Sequence, residues 1–233
     1  MSNPRSCQIA ERFQQSLRKL LPSDVAIAGG GIIGDHTSLF AAEHTSIAGA
    51  AAVRQAEFAA GRTYARAALR TLGCSDQPIL SAQDRRPIWP AGFTGSISHS
   101  RTLCVAIVAC RQSYTSLGVD VEPAIPLKPI LYSAVGRQEE RQDFACPINT
   151  PMGMVDRGKL VFAIKEAVFK AYYPVTRFWL DFQHAMVDID KHTQRFTVHL
   201  VEEVPEFPGA PTLTGRWSLF DGHILVALAL VRL

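Results

Sequence analysis

Three kinds of pattern are missing from this sequence, and each absence excludes a class of protein. No apolar run reaches the roughly 18 residues that cross a membrane, and the first residues lack the apolar core of a signal peptide. The five cysteines are odd in number and form no C-x-x-C pair, which argues against a disulfide framework. Lysine and arginine form no dense run, so no nucleic-acid partner is indicated. We therefore expect a cytoplasmic protein with free thiols and no membrane insertion.

What remains is the composition of an ordinary folded protein. The 233 residues are 47% hydrophobic and 19% charged, which supplies enough apolar material for a core without disulfides or a structural metal. A chain of this length forms one or two domains. The formal net charge of +3 is mild and favours acidic ligands or partners.

The hydrophobic patterns predict an α+β fold. Each half of the chain contains one long helical segment, at residues 47–72 and 159–174, together with several strand-like runs. We expect Gly73 to follow the first helix and Pro174 to end the second. The segment VAIAGGGIIG has neither the dinucleotide fingerprint nor a P-loop lysine, so it is predicted to be a turn or loop.

Two carboxylates lie in a strand that otherwise looks buried, LGVDVEP. Because alternate strand residues share a face, Asp120 and Glu122 leave the same side. Like charges so close repel each other unless water, a base or a cation lies between them. Hard cations such as Mg²⁺ prefer carboxylate oxygens. The alternative is the solvated end of a strand.

The second helical segment, FAIKEAVFKAYYP, carries further charged residues. Glu166 and Lys170 are four apart, which suits an exposed helical ion pair. The functional interpretation makes Glu166 a third carboxylate that faces the strand, with Lys165 and Lys170 contacting phosphate.

The third element is GSISHS, with Ser98 and His99. Adjacent strand residues point in opposite directions, so the two do not fit a nucleophile and its base. His99 is suited either to donating a hydrogen bond to an anion or to a place in the core. Arg62, Arg85 and Arg86 are further basic candidates, although each could be a surface charge.

Taken together, four segments resemble a known family. EFAAGRTYAR, RRPIWPAGFTGSISHS, LGVDVEP and FAIKEAVFKAYYP stand in this order, and the likeness covers roughly residues 45–185. The set resembles the 4'-phosphopantetheinyl transferases, in particular the larger monomeric kind that includes the enterobactin-synthetase component. This resemblance implies transfer of the phosphopantetheine arm of coenzyme A to a serine of an acyl or peptidyl carrier protein, with release of 3',5'-ADP.

The resemblance also implies a fold and a site. The fold would be a pseudodimer of two similar α+β halves, divided here into residues 1–116 and 117–233, with the active site between them and a monomeric chain. Mg²⁺, or Mn²⁺, would be held by Asp120, Glu122 and Glu166. Glu166 would accept the proton of the carrier serine, directly or through water, and Lys170 would share in catalysis. The coenzyme A contacts would be Arg62, Ser98, His99, Lys165, Lys170 and one or the other of Arg85 and Arg86.

Two rival functions and one partner surface complete the expectations. The rivals are another magnesium-dependent nucleotide phosphotransferase or pyrophosphatase, and a non-catalytic module that binds coenzyme A or a carrier. Carriers of nonribosomal peptide (siderophore), polyketide and fatty-acid synthesis all fit the transferase. The polar segment 136–159 is predicted to dock the carrier, through apolar residues ringed by arginines. These residues are Phe144, Met152, Met154, Arg137, Arg141 and Arg157.

Overall fold

The structure is a computed structural model that describes residues 4–32, 36–201, 204–205, 207 and 212–232. No helix within these ranges is both long enough and apolar enough to span a membrane. The helices of the described residues are α1 (Pro4–Arg18), α2 (Ala41–His44), α3 (Ala52–Thr71), α4 (Tyr132–Val135), α5 (Gln138–Arg141) and α6 (Arg157–Thr176). The strands are β1 (Ala26–Gly31), β2 (Phe93–His99), β3 (Leu103–Cys110), β4 (Tyr114–Pro123), β5 (Ile148–Thr150), β6 (Gly153–Val155), β7 (Ala185–Asp190), β8 (Arg195–Leu200), β9 (Thr212–Phe220) and β10 (His223–Val231).

The strands form two main antiparallel sheets and one small hairpin. The first sheet has the order β1-β3-β2, and the second has the order β4-β10-β9-β8-β7. The hairpin pairs β5 with β6. Helix α3 packs on the first sheet and α6 on the second, so each sheet has its own 20-residue helix. The fold is α+β, as the sequence predicts.

Strand β4 separates two environments because its side chains alternate. Leu117, Val119 and Val121 are fully buried in a core shared with α1 and β3. The opposite face, with Gly118 and Asp120, turns toward α6. The predicted division after residue 116 lies inside this strand, which belongs to the second sheet from Tyr114 onward.

The two sheets meet where β2 lies beside β4, and side chains make the connection. The backbone N–H of Val119 donates to Ser96 Oγ at 3.2 Å, and that of Val121 donates to Ser98 Oγ at 3.3 Å. In the described chain β2 and β4 share no backbone ladder. The alternate serines of GSISHS therefore join the halves.

The glycine-rich segment was predicted to be a turn or loop, and this prediction is wrong. Residues Ala26–Gly31 form β1, which pairs with β3 along its whole length. A Cβ at Gly29 would lie 2.8 Å from the Cys104 carbonyl oxygen and 2.9 Å from the Phe13 ring. Because these glycines have no side chains, α1 can pack close to the sheet.

Both long helices differ from their predicted bounds. Helix α3 begins at Ala52 and not at residue 47, because Gly49 with φ +77° interrupts the preceding turn. Helix α6 continues through Pro174 and ends at Thr176, where Arg177 caps it with φ +60°. A proline in the last turn removes only one backbone hydrogen bond, so the helix tolerates it there.

The predicted docking segment is only partly exposed. Phe144 is fully buried and packs edge-on against Tyr132, with ring centroids 5.2 Å apart. Its predicted place at the centre of a docking surface is therefore wrong. Met152 and Met154, in and beside the β5–β6 hairpin, are 49% and 66% exposed.

Candidate active site

A close approach of α6 to β4 creates the site. A Cβ at Gly118 would collide with the Ala167 carbonyl oxygen and would lie 2.6 Å from Leu228 Cδ2. Only glycine permits this distance between helix and strand. Glu166 directly precedes Ala167, and Asp120 follows Gly118 by two residues. The contact between Ala167 and Gly118 therefore brings the carboxyl groups of Glu166 and Asp120 near each other.

The three predicted acids lie within electrostatic range of one another. Asp120 is 2% exposed, whereas Glu122 and Glu166 are partly buried. Burial raises the pKa of Glu166, and the carboxylates of Asp120 and Glu122 raise it further, against the opposing effect of Lys170 and Lys159. Strand β4 and helix α6 therefore combine three carboxyl groups into one acidic cluster.

Two lysines lie against this cluster. Lys170 Nζ donates to Asp120 Oδ1 at 2.6 Å and to Ser98 Oγ at 3.0 Å. Lys159 Nζ donates to Glu122 Oε2 at 2.6 Å. The sequence analysis missed Lys159, although it precedes Glu166 by seven residues and so lies on the same face of a helix.

Ser98 supports Asp120. Its hydroxyl donates to Asp120 Oδ1 at 2.8 Å and accepts from Lys170 and from the Val121 N–H. One donated and two accepted bonds satisfy the hydroxyl completely. The predicted coenzyme A contact is thus already occupied within the protein, and the geometry gives Ser98 the role of orienting a carboxylate.

The chemistry of the acids fits a hard divalent cation. Asp120 Oδ2 is buried and has no hydrogen-bond partner among the described residues. A buried carboxylate oxygen without a partner is costly unless a cation or water satisfies it. Within the same part of the chain, no group of three acidic, histidine or cysteine side chains is spaced to hold a metal unaided. A cation here would need oxygen ligands from a substrate as well, as Mg²⁺ does at phosphates.

His99 lies on the other side of β2, beside α3. Its Nε2 is 2.8 Å from Arg54 Nη1, and its Nδ1 is 3.7 Å from Glu57 Oε1. Arginine can only donate, so we assign Nε2 as the acceptor and place the proton on Nδ1. Burial lowers the pKa of His99, and Arg54 lowers it too, while Glu57 raises it. The sequence analysis missed Arg54 and Glu57; Arg54 precedes Arg62 by eight residues on the same helix.

The predicted arginines line two cavities, and Lys170 lines one of them. A cavity of about 500 Å³ is lined by Arg54, Arg62 and Arg85 among others. A second, of about 460 Å³, runs between β2 and α6 and is lined by Arg85, Arg86 and Lys170. Arg85 borders both cavities.

Arg62 and Arg86 are held by protein groups, while each borders one of these cavities. Arg62 donates to the Ile79 carbonyl oxygen at 2.6 Å and to Ser81 Oγ at 2.9 Å, and burial lowers its pKa to about 10. Arg86 Nε donates to Asp84 Oδ2 at 3.0 Å. Their guanidinium charges are therefore fixed in position beside the cavities.

Lys165 does not join the site. Its side chain is 2% exposed, and its ammonium donates to the carbonyl oxygens of Val135 and Phe182 and, at 2.7 Å, to Glu140 Oε2. Burial lowers the pKa of Lys165, and Glu140 opposes that effect. Because three acceptors already use its three donors, the geometry does not support the predicted phosphate contact.

Comparison with known proteins agrees with the order of these elements along the chain. A family model described as the 4'-phosphopantetheinyl transferase N-terminal domain matches residues 42–109, and one described as the 4'-phosphopantetheinyl transferase superfamily matches residues 116–217. The 4'-phosphopantetheinyl transferase Svp of Streptomyces mobaraensis is 36% identical over 82% of this chain and 78% of its own.

Two further relatives carry the same kind of name. The 4'-phosphopantetheinyl transferase PptT of Mycobacterium tuberculosis is 34% identical over 79% of this chain and 82% of its own. The enterobactin synthase component D of Salmonella typhimurium is 32% identical over 59% of this chain and 56% of its own. The resemblance found in the sequence motifs is thus confirmed over both halves, and the chain belongs to the 4'-phosphopantetheinyl transferase superfamily as an enzyme of that class.

Proposed function

We propose that this transferase moves the 4'-phosphopantetheine arm of coenzyme A to a serine hydroxyl of an acyl or peptidyl carrier protein and releases 3',5'-ADP. The observation that supports the proposal is the position of Lys170, which is hydrogen-bonded to Asp120 of the acidic cluster and also lines a cavity with Arg85 and Arg86. Coenzyme A bears a diphosphate and a separate 3'-phosphate, and the two cavities offer cationic groups for both. Lys170 and the acids would lie at the diphosphate. Arg62, Arg85, Arg86 and His99 would lie toward the 3'-phosphate end.

The acids would hold a divalent cation. Asp120, through its open Oδ2, together with Glu122 and Glu166, would bind Mg²⁺, with Mn²⁺ as a substitute. When bound, the cation offsets the charge of the diphosphate and of the leaving oxygen. Lys170 remains hydrogen-bonded to Asp120 and adds a fixed positive charge beside the phosphates.

Glu166 would accept the serine proton, since it is a partly buried carboxylate beside Asp120 and Glu122. The carrier serine oxygen bonds to the phosphorus that carries the pantetheine arm, and the bond from that phosphorus to the bridging oxygen breaks. The electron pair leaves with 3',5'-ADP. The serine proton passes to Glu166, directly or through one water.

The decisive experiment offers the protein coenzyme A, Mg²⁺ and a panel of apo-carriers from nonribosomal peptide, polyketide and fatty-acid synthesis. We expect at least one carrier to gain the mass of one phosphopantetheine group, with 3',5'-ADP formed in equal amount. Asp120→Asn and Glu166→Gln should each reduce the rate by about 10²-fold or more, while the exposed Glu11→Gln should not. Cleavage of coenzyme A with every carrier unmodified would instead identify a pyrophosphatase.

A further inference from the structure

Lys159 lies against the acidic cluster and has no part in the proposed mechanism. Its side chain is 14% exposed, so the ammonium is largely removed from solvent. Glu122 Oε2 lies 2.6 Å from its Nζ, and the ring centroid of Phe162 lies 4.6 Å away. A carboxylate and an aromatic face together fix the position of this ammonium. Lys159 is therefore held against the acidic cluster, unlike a surface lysine that moves freely in solvent.

The two lysines of the cluster are bound in different ways. Lys170 shares Asp120 Oδ1 with Ser98 and leaves the buried Asp120 Oδ2 open. Asp120 can therefore accept a cation while it keeps Lys170. Lys159, in contrast, is ion-paired with Glu122, which is the more exposed of the two strand carboxylates and therefore the more accessible to a cation from solvent.

An ammonium and a divalent cation compete for the same carboxylate. Like charges at such distances in a partly buried site repel each other substantially, so Lys159 weakens the hold of Glu122 on a cation that arrives alone. A diphosphate that arrives with the cation reverses this balance. Its oxygens can accept the hydrogen bond of Lys159, which frees Glu122 to bind the cation.

We propose that Lys159 is a positioning residue that exchanges its partner, from Glu122 to a phosphate oxygen, when the divalent cation and coenzyme A bind together. This inference rests on the proposed function, because it needs a diphosphate substrate and a cation at the acids. Its consequence is thermodynamic. Cation and coenzyme A should each bind weakly alone and strengthen each other, and the coupling is reciprocal.

The test measures binding and not turnover. Mn²⁺ is titrated by calorimetry into the full chain, with and without coenzyme A, for the wild type and for Lys159→Met and Lys159→Arg. We expect Lys159→Met to bind Mn²⁺ alone about tenfold more tightly than the wild type, since a repelling charge is gone. It should also lose most of the enhancement that coenzyme A gives. Lys159→Arg keeps the charge and should retain the wild-type coupling.

Further variants test whether the effect on Mn²⁺ binding is specific to Lys159. Lys191→Met removes the same charge from an exposed position and should leave Mn²⁺ binding unchanged. Lys159→Gln serves as a second neutral variant if Lys159→Met fails to fold, as judged by its melting temperature. Wild-type affinity and coupling in a folded neutral variant would overturn the proposal. If the wild type also modifies a carrier, only this inference is lost; if it modifies none, the proposed function fails separately.

Discussion

The hydroxyl of Ser98 donates to Asp120 Oδ1 at 2.8 Å across the junction of the two sheets. Ser98 Oγ itself accepts from Lys170 Nζ at 3.0 Å and from the Val121 N–H at 3.3 Å. One small side chain thus fixes a carboxylate, its counter-ion and the neighbouring strand.

Ser98→Ala should reduce turnover by about 10- to 100-fold, because Asp120 loses the bond that orients it. Ser96→Ala is the matched control. Ser96 also accepts from a β4 amide, Val119 N–H, but among the described residues it makes no hydrogen bond to Asp120. Both variants should lose similar stability, about 1–3 kcal/mol in the free energy of unfolding, by denaturant titration. Equal rates for the two variants would show that the Asp120 contact has no catalytic effect.

His99→Gln should weaken the binding of coenzyme A about tenfold and leave dephospho-coenzyme A nearly unaffected. The reason is its proposed place at the 3'-phosphate, beside Arg54 and the cavity that Arg62 lines. Calorimetry with both ligands measures the difference. An equal loss of affinity for the two ligands would show that the 3'-phosphate binds away from His99.

The same histidine should affect stability in mildly acidic solution. Burial lowers the pKa of His99 in the folded state, so the unfolded chain takes up its proton first. The contribution is intact above the unfolded value of about 6.5 and is lost as pH falls toward the folded pKa. His99→Gln should therefore flatten the fall in unfolding free energy below that pH. A wild-type slope in the variant would assign the pH dependence to other groups.

Lys165→Met should unfold at a lower temperature than any phosphate-contact variant. It leaves Glu140 buried without its ion-pair partner, at a cost of about 3–5 kcal/mol, and two carbonyl oxygens lose their donor. Glu140→Gln in the same chain should restore part of that loss. For the folded fraction, affinity for coenzyme A should stay close to wild type. A large selective loss of affinity would return Lys165 to the predicted phosphate role.

The β5–β6 hairpin is the part of the predicted docking segment that stays exposed. Replacing Met152 and Met154 together with serine should raise the KM for a carrier protein about fivefold and leave the KM for coenzyme A unchanged. Val231→Ser, which removes a similarly exposed apolar side chain at the end of β10, serves as the control. Unchanged carrier kinetics in the double variant would place docking on another surface.

Local periodicity predicts which side chains of one element share a face, but not which elements meet. Strand alternation placed Asp120 and Glu122 on one side of a strand, and the helical repeat placed Glu166 and Lys170 on one side of a helix. Periodicity could not show that the Lys165 ammonium binds Glu140, which lies 25 residues earlier in a separate short helix. The glycines of β1 were wrongly predicted to form a turn or loop. They leave space for Phe13 and for the Cys104 backbone, and these contacts arise only from tertiary packing.

Gly118 has a consequence for anyone who wishes to transplant this chemistry. Helix α6 and strand β4 can approach this closely because Gly118 has no side chain. Even a methyl group at this position would collide with the Ala167 carbonyl oxygen. Alanine scanning identifies side chains that contribute to function. At Gly118 it would detect only a loss of stability. A designer who grafts the three acids onto another helix and strand must also graft the glycine, or the added side chain will hold the helix and the strand apart and separate the carboxyl groups.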